Sequence, residues 1–148
     1  DLRYIPQNLG IMLFGLPTAM PPCEPGAVRE AWSASGCSWL VPDQRGMSFL
    51  LASPAYLLAL PALARLRDRH IAGSRLATIA IATVNLAHFS QGWVQFGYRF
   101  SLDFAPFATL LVALGIARVG AGWLSVGLVA LSIAVNAGGV YWGVTLGW

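Results

Sequence analysis

A short polar stretch in the middle of an otherwise apolar chain contains side chains that could bind a charged ligand. It is "GWVQFGYRFSLDFAPF", residues 92–107, and it includes Gln95, Tyr98, Arg99 and Asp103. An arginine suits a phosphate because its planar fork of N–H groups can bind two oxygens at once. One hypothesis is therefore that Arg99 binds the phosphate of a lipid or another anionic substrate. Asp103 would hold the arginine, and Gln95 and Tyr98 would donate hydrogen bonds to the ligand.

The same residues also fit a structural role. Arg99 could anchor the chain at a membrane interface, where Trp93 and Tyr98 would belong to an aromatic belt. Asp103 could cap the helix that follows and pair with Arg99. Gly97 predicts a break in the helix at this point rather than a continuous polar stripe. The sequence leaves both interpretations open.

The composition of the 148-residue chain indicates a membrane protein. Charged residues make up 10% of the chain, against roughly 25% in an ordinary soluble domain. Hydrophobic residues make up 57%, and the mean hydropathy is +0.65. We therefore expect membrane lipid to surround the chain. We expect no nucleic-acid partner, because no basic, aromatic-rich surface pattern is present in the sequence.

Four apolar segments predict an all-α, integral-membrane bundle of about four transmembrane helices. The predicted spans are residues 47–64, 76–94, 104–117 and 123–142. A shorter apolar segment, residues 4–20, predicts an additional short N-terminal helix that ends a span or lies at the interface. We expect residues 1–148 to form one membrane domain. Because the chain opens on Asp1 and shows no signal-peptide pattern, we expect it to be the C-terminal part of a larger protein.

The basic residues predict the orientation of the chain in the membrane. Residues 65–75, "RLRDRHIAGSR", hold four arginines, and Arg118 follows the third predicted span. Short basic loops stay in the cytoplasm, so we expect both of these loops there. The Pro-rich loop 21–45 and residues 91–103 would then lie outside the cytoplasm.

The cysteines, histidines and late glycines carry weaker predictions. Cys23 and Cys37 lie in the predicted outer loop, where they are either unpaired thiols or a disulfide worth about 3 kcal/mol. The two histidines lie in other segments and no C-x-x-C motif occurs, so we expect no metal site and no cofactor. Gly139, Gly143 and Gly147 recur at four-residue spacing, which favours either a dimer interface or packing within the bundle.

The order of these segments resembles the C-terminal membrane region of bacterial GT-C-type glycosyltransferases, the group that includes dolichyl-phosphate-mannose–protein mannosyltransferase-like proteins. The resemblance covers most of the chain, from "RYIPQNLGIMLFGLP" through "GMSFLLASPAYLLAL" to "QFGYRFSLDFAPF", and its distinctive core is "FGYRF…D…PF". It implies transfer of a sugar from a polyprenyl-phosphate carrier to an acceptor on the outer, extracytoplasmic face of a bacterial plasma membrane.

The resemblance places no catalytic residue in this chain. The family's catalytic acid lies in its first extracytoplasmic loop, to which no segment here corresponds. The expected partners are a polyprenyl-phosphate-linked sugar and the remainder of a larger membrane chain. The alternative is a non-enzymatic helical-bundle subunit of the membrane, which the glycine spacing of the last span favours.

Overall fold

The computed structural model describes residues 1–19, 40–43, 45–64, 68–90 and 95–146, and most of these residues are helical. The helices and strands are, in chain order, α1 (Ile5–Phe14), β1 (Thr18–Ala19), β2 (Leu40–Val41), α2 (Phe49–Ala52), α3 (Leu60–Leu63), α4 (Arg69–Leu86), α5 (Ala105–Val119) and α6 (Trp123–Leu146). Within the same residues, 3-10 helices cover Leu2–Tyr4, Pro54–Ala59 and Arg99–Asp103.

The last two helices begin where the sequence predicts them, within one residue. Pro106 lies in the first turn of α5, where its fixed φ suits a helix and no backbone donor is lost. α5 ends at Gly120, whose φ of +85° is a conformation that favours glycine, and the N–H of Gly120 donates to the carbonyl oxygen of Ile116. α6 then continues for 24 residues without a charged side chain.

The prediction of a four-span bundle is wrong. Among the described helices, only α6 is long and apolar enough to cross a membrane. The first predicted span, residues 47–64, divides at Pro54 and Pro61 into α2, a 3-10 helix and α3, because a proline lacks the N–H that continues a helix. α5 has 15 residues, and crossing a bilayer takes about 20.

The second predicted span also has different limits. The Asp68 carboxylate accepts hydrogen bonds from two backbone N–H groups in the first turn of α4, at 2.9 and 3.4 Å, and so starts the helix at Arg69. The predicted Arg-rich loop, residues 65–75, is therefore helical from Arg69 onward. α4 ends at Leu86, whose carbonyl oxygen accepts a hydrogen bond from Nδ2 of the fully buried Asn8 (2.8 Å).

α4 and α5 run antiparallel and pack against each other. Near the end of α4, Asn85 Nδ2 donates to the carbonyl oxygen of Phe100 (3.0 Å), just before α5 begins. At the other end, Asp68 lies close enough to Arg118 for their charges to interact. Two apolar clusters fill the contacts at the two ends: Met12, Leu86, Tyr98, Phe104 and Ala108 at one, and Ala62, Ile71 and Leu111 at the other.

The 3-10 helix Pro54–Ala59 lies directly against α5. Gly115 is the point of closest approach, because a Cβ there would overlap the carbonyl oxygen of Leu58. Only a residue without a side chain allows the two backbones to touch in this way. The contact fixes the segment that carries Tyr56.

The N-terminal part contains the predicted short helix and one element that was not predicted. α1 is the short helix, and an antiparallel pair of two-residue strands, with Thr18 opposite Val41, departs from the predicted all-α fold. Cys23 and Cys37 lie outside the described residues, so the disulfide stays a prediction.

Candidate functional site

Backbone hydrogen bonds join three distant segments of the chain beneath the candidate site. The N–H of Met47 donates to the carbonyl oxygen of Gly97 (2.9 Å), and the N–H of Ser48 donates to that of Gly15 (2.9 Å). Gly46 and Gly97 have φ values of +108° and +73°, which side chains disfavour. A Cβ at Gly46 would lie 2.7 Å from the Gly97 carbonyl oxygen. Glycine at these positions therefore allows the segments to approach so closely.

Gln95 connects this arrangement to Arg99. Its buried side chain donates from Nε2 to the carbonyl oxygen of Arg45 (2.8 Å) and accepts at Oε1 from the N–H of Arg99 (3.0 Å). The break predicted at Gly97 is present, and these bonds fix where the 3-10 helix Arg99–Asp103 begins. In the structure Gln95 positions Arg99, while a direct contact between Gln95 and a ligand stays a prediction.

The side chain of Arg99 is exposed and makes no hydrogen bond or ion pair within the described part of the chain. Two other arginines, Arg3 and Arg45, do form ion pairs. Arg3 pairs with Asp1 (2.7 Å), and Arg45 pairs with Asp43 (3.1 Å), which lowers the pKa of the Asp43 carboxyl because the guanidinium donates to it. The guanidinium of Arg99 therefore keeps its N–H donors available for a ligand.

A cavity of about 390 Å³ lies beside Arg99. Its lining includes three of the four predicted site residues, Gln95, Tyr98 and Arg99. Phe49, Ser53 and Tyr56 come from the broken segment, which is α2 and the following 3-10 helix. Other lining residues are Phe96, Ser101 and Asn136. No carboxylate occurs among the lining residues that the structure describes. Arg99 therefore gives the cavity a positive charge that no acidic group of the described lining offsets.

Tyr98 is buried within the cluster that contains Met12 and Phe104, and 2% of its surface is exposed. Its hydroxyl is also buried and has no hydrogen-bond partner among the described residues. A buried hydroxyl without a partner costs about 1–3 kcal/mol. A hydrogen bond to a ligand would remove that cost.

Asp103, the fourth predicted site residue, is not part of the cavity lining. Its Oδ2 accepts a hydrogen bond from Asn85 Nδ2 (2.8 Å), and it makes no ion pair with Arg99. It also does not cap α5, because the residue at that position is Phe104 and no side chain accepts a hydrogen bond there. The predicted cap and the predicted Arg99–Asp103 pair are therefore absent from the structure.

The helix break at Ser53 leaves two backbone groups without helical partners, and α6 supplies both partners. Asn136 Nδ2 donates to the carbonyl oxygen of Ala52 (2.8 Å) and to Ser53 Oγ (3.0 Å). Ser132 Oγ accepts from the N–H of Ala55 (2.9 Å). These bonds hold α6 against the broken segment and complete one side of the cavity.

Sequence reasoning did not select Asn136, although a signal was present. It is the one asparagine in the 24-residue apolar helix α6. A polar amide in such a helix requires a hydrogen-bond partner, and it therefore marks a contact with another segment.

The glycines of α6 take different roles. The ring of Phe96 lies against Gly139, where a Cβ would overlap it, so Gly139 serves packing within this chain. Gly143 has open space around it, and Gly147 lies outside the described residues.

The described residues contain no group of three or more His, Cys, Asp or Glu side chains that could hold a metal ion. Comparison of the chain with protein-family models, curated proteins and solved structures found no match. The glycosyltransferase resemblance therefore rests on the order of the segments and on the "FGYRF…D…PF" pattern, and it stays a prediction.

Proposed function

We propose that this chain is embedded in a membrane through α6 and binds the phosphate of a lipid in the cavity beside Arg99. One observation carries the proposal: Arg99 is an exposed arginine, unpaired within the described chain, at a cavity whose described lining has no carboxylate. A phosphate would supply the two-oxygen, charge-assisted pairing that suits a guanidinium. Tyr98 also lines the cavity, and its buried hydroxyl has no hydrogen-bond partner among the described residues.

The surface of α6 supports a lipid environment. Residues Trp123–Val144 form a stretch of 22 residues that is long enough to cross a bilayer. Within it, 17% of an 18-residue apolar part is buried inside the protein. The core helix of a soluble protein is mostly buried, whereas Ile133, Val140 and Val144 each expose 66% or more of their surface. Lipid tails would cover this apolar surface.

The position of the cavity along α6 supports a phosphate carried by a lipid rather than one free in solution. At 1.5 Å per residue, Asn136 lies about 12 Å from Val144 and about 20 Å from Trp123. If α6 crosses a hydrocarbon core about 30 Å thick, the cavity lies below the membrane surface nearer Val144. Charged groups at this depth are rare and pair with another group or serve a function. A lipid phosphate can reach the cavity from the adjacent headgroup layer.

The resemblance extends the proposal to a polyprenyl-phosphate carrier and, in a longer membrane chain, to sugar transfer onto an acceptor outside the cytoplasm. Tyr98 and Arg99 belong to the resembling pattern and line the cavity, which supports this extension. We propose a bacterial plasma membrane, with residues 21–45 and 91–103 outside the cytoplasm. Arg118 lies at the opposite end of α5 from Arg99, as this orientation requires.

The experiment is a binding measurement on the full chain in lipid nanodiscs. A polyprenyl phosphate is compared with the corresponding polyprenol and with inorganic phosphate, for wild type, Arg99→Ala and Arg99→Lys. We expect Arg99→Ala to weaken binding of the polyprenyl phosphate by roughly 10- to 100-fold, since hydrogen bonds to a charged group contribute about 1.5–3 kcal/mol. Arg99→Lys keeps the charge but loses the fork, so its binding should be intermediate.

Arg3→Ala is the matched control, because Arg3 is exposed but already pairs with Asp1. It should bind as wild type does, and thermal melting of each variant separates weak binding from partial unfolding. Equal binding of the polyprenol would show that the phosphate is not recognised. Binding that is unchanged in Arg99→Ala would contradict the proposal and favour the non-enzymatic subunit.

A further inference from the structure

The described charges divide unevenly between the two ends of the α4–α5 pair. The end near Arg99 holds three arginines and three aspartates: Arg3, Arg45, Arg99, Asp1, Asp43 and Asp103. The opposite end holds three arginines and a single aspartate: Arg69, Arg75, Arg118 and Asp68. Because this opposite end has three arginines and one aspartate, it carries a net positive charge within the described chain. The Asp68 carboxylate is also already engaged, since it caps α4.

One of the arginines at this end, Arg75, adjoins an apolar face of α4. Arg75 lies beside a shallow depression formed with Ala72, Leu76 and Ile79. Leu76 exposes 69% of its surface and Ile79 57%. Neither Arg69 nor Arg75 makes a hydrogen bond or ion pair with its side chain to another described residue. An arginine at such a boundary can lay its aliphatic stem on the apolar face and extend its charge into a headgroup layer.

Arg118 and Trp123 belong to the same end. One Arg118 N–H group lies within hydrogen-bond distance of the carbonyl oxygens of Pro61 and Ala62 (2.8 and 3.2 Å), which holds α5 against α3. Trp123 begins α6 five residues later and exposes 87% of its surface. Exposed tryptophans at the start of an apolar helix are typical of the membrane–water interface.

We propose that this end of the molecule docks in the headgroup layer of an anionic lipid leaflet. Arg69 and Arg75 contact lipid phosphates or other anionic headgroup atoms, Trp123 lies at the same level, and Leu76 and Ile79 enter the hydrocarbon. The unpaired positive charge determines the partner, because a neutral leaflet would leave both arginines without a counter-charge. This surface is at the opposite end of the molecule from the Arg99 cavity and does not depend on it.

Lipid selectivity of the reconstituted full chain tests the proposal. The chain is placed in phosphatidylcholine vesicles, and its association with trace spin-labelled phosphatidylglycerol is compared with its association with spin-labelled phosphatidylcholine. We expect wild type to prefer phosphatidylglycerol. Arg69→Gln and Arg75→Gln each remove one arginine, and we expect each substitution to reduce the preference by about five-fold at the lipid site that this arginine contacts. The preference should also weaken between 0.05 and 0.5 M salt because of screening.

Arg3→Gln removes the same charge from the other end and is the matched control. It should keep the wild-type preference, as should Arg75→Lys. An unchanged preference in the Arg69→Gln/Arg75→Gln double variant would overturn the proposal, as would an equal loss in Arg3→Gln. If the double variant does not fold, the salt dependence of wild type decides, since a preference insensitive to salt contradicts a charge-based contact.

Discussion

Replacing Tyr98 by phenylalanine should stabilise the ligand-free protein and weaken its binding of a lipid phosphate. The substitution removes only the hydroxyl, which is buried and has no partner among the described residues. The ring keeps its place beside Phe100, 6.1 Å away between centroids, and within the surrounding apolar cluster. Stability and binding therefore change in opposite directions, as is common where a site retains a polar group for its ligand.

The magnitude follows from the burial of the hydroxyl. An unpaired buried hydroxyl costs about 1–3 kcal/mol, and Tyr98→Phe should recover about 1 kcal/mol of it. For a chain of this length that raises the Tm by about 2–4 °C. Binding of a polyprenyl phosphate should weaken by roughly 10-fold or more if the hydroxyl donates to the phosphate. Thermal melting and a binding titration on the same nanodisc preparation measure both effects.

Tyr56→Phe is the control with the opposite expectation. Tyr56 also lines the cavity, but its hydroxyl lies close enough to the Thr109 side chain for the two to interact. Removing that hydroxyl should lower the free energy of unfolding by about 0.5–1.5 kcal/mol. A lower Tm for Tyr98→Phe would refute the reasoning, because it would show that the Tyr98 hydroxyl already has a stabilising partner.

Two further predictions concern the framework around the site. Gly115→Ala should cost about 1–3 kcal/mol, because a Cβ there would meet the Leu58 carbonyl, whereas Gly73→Ala, in open space, should gain about 0.5–1 kcal/mol. Melting of the two variants checks this, and shifts of the same sign would contradict it. Backbone hydrogen bonds from Ile71 and then His70 lower the pKa of Asp68 below its ordinary 3.8, so its cap contributes fully above that pH and is lost as the pH falls through the lowered value. Asp68→Asn, which still caps, should remove this acid dependence from the helix content measured by circular dichroism, and an unchanged acid transition would refute the assignment.

The sequence predicted the ends of the chain's helices well where a local signal marks them. α5 begins at a proline in its first turn and ends at a glycine with positive φ, and α6 follows at once. It predicted α4 poorly, because Asp68 was assigned to a basic loop although an aspartate is a strong N-cap residue. Local signals mark the start of α4 and both ends of α5. The prediction for α4 was wrong because Asp68 was not interpreted as an N-cap residue.

The candidate site was predictable in part for a different reason. The cluster of Gln95, Tyr98 and Arg99 is local in sequence, so its composition alone drew attention to it. Asp103 belongs to the same cluster but bonds to Asn85, a partner 18 residues away that spacing along the chain does not reveal. Contacts of this kind depend on how α4 packs beside α5.

Pro54, which divides the first predicted span, also shapes the candidate site. In an unbroken helix the carbonyl oxygen of Ala52 would accept from the N–H of residue 56, but at Pro54 the chain changes to a 3-10 helix and the N–H of Tyr56 donates to Ser53 instead. Asn136 takes the freed Ala52 carbonyl and thereby draws α6 to the break. A continuous helix here would need no such partner, and it would not leave Ser53 and Tyr56 lining a cavity. The division of the first predicted span and the presence of a polar cavity therefore have one cause, the break at Pro54, and α6 satisfies the backbone groups that this break frees.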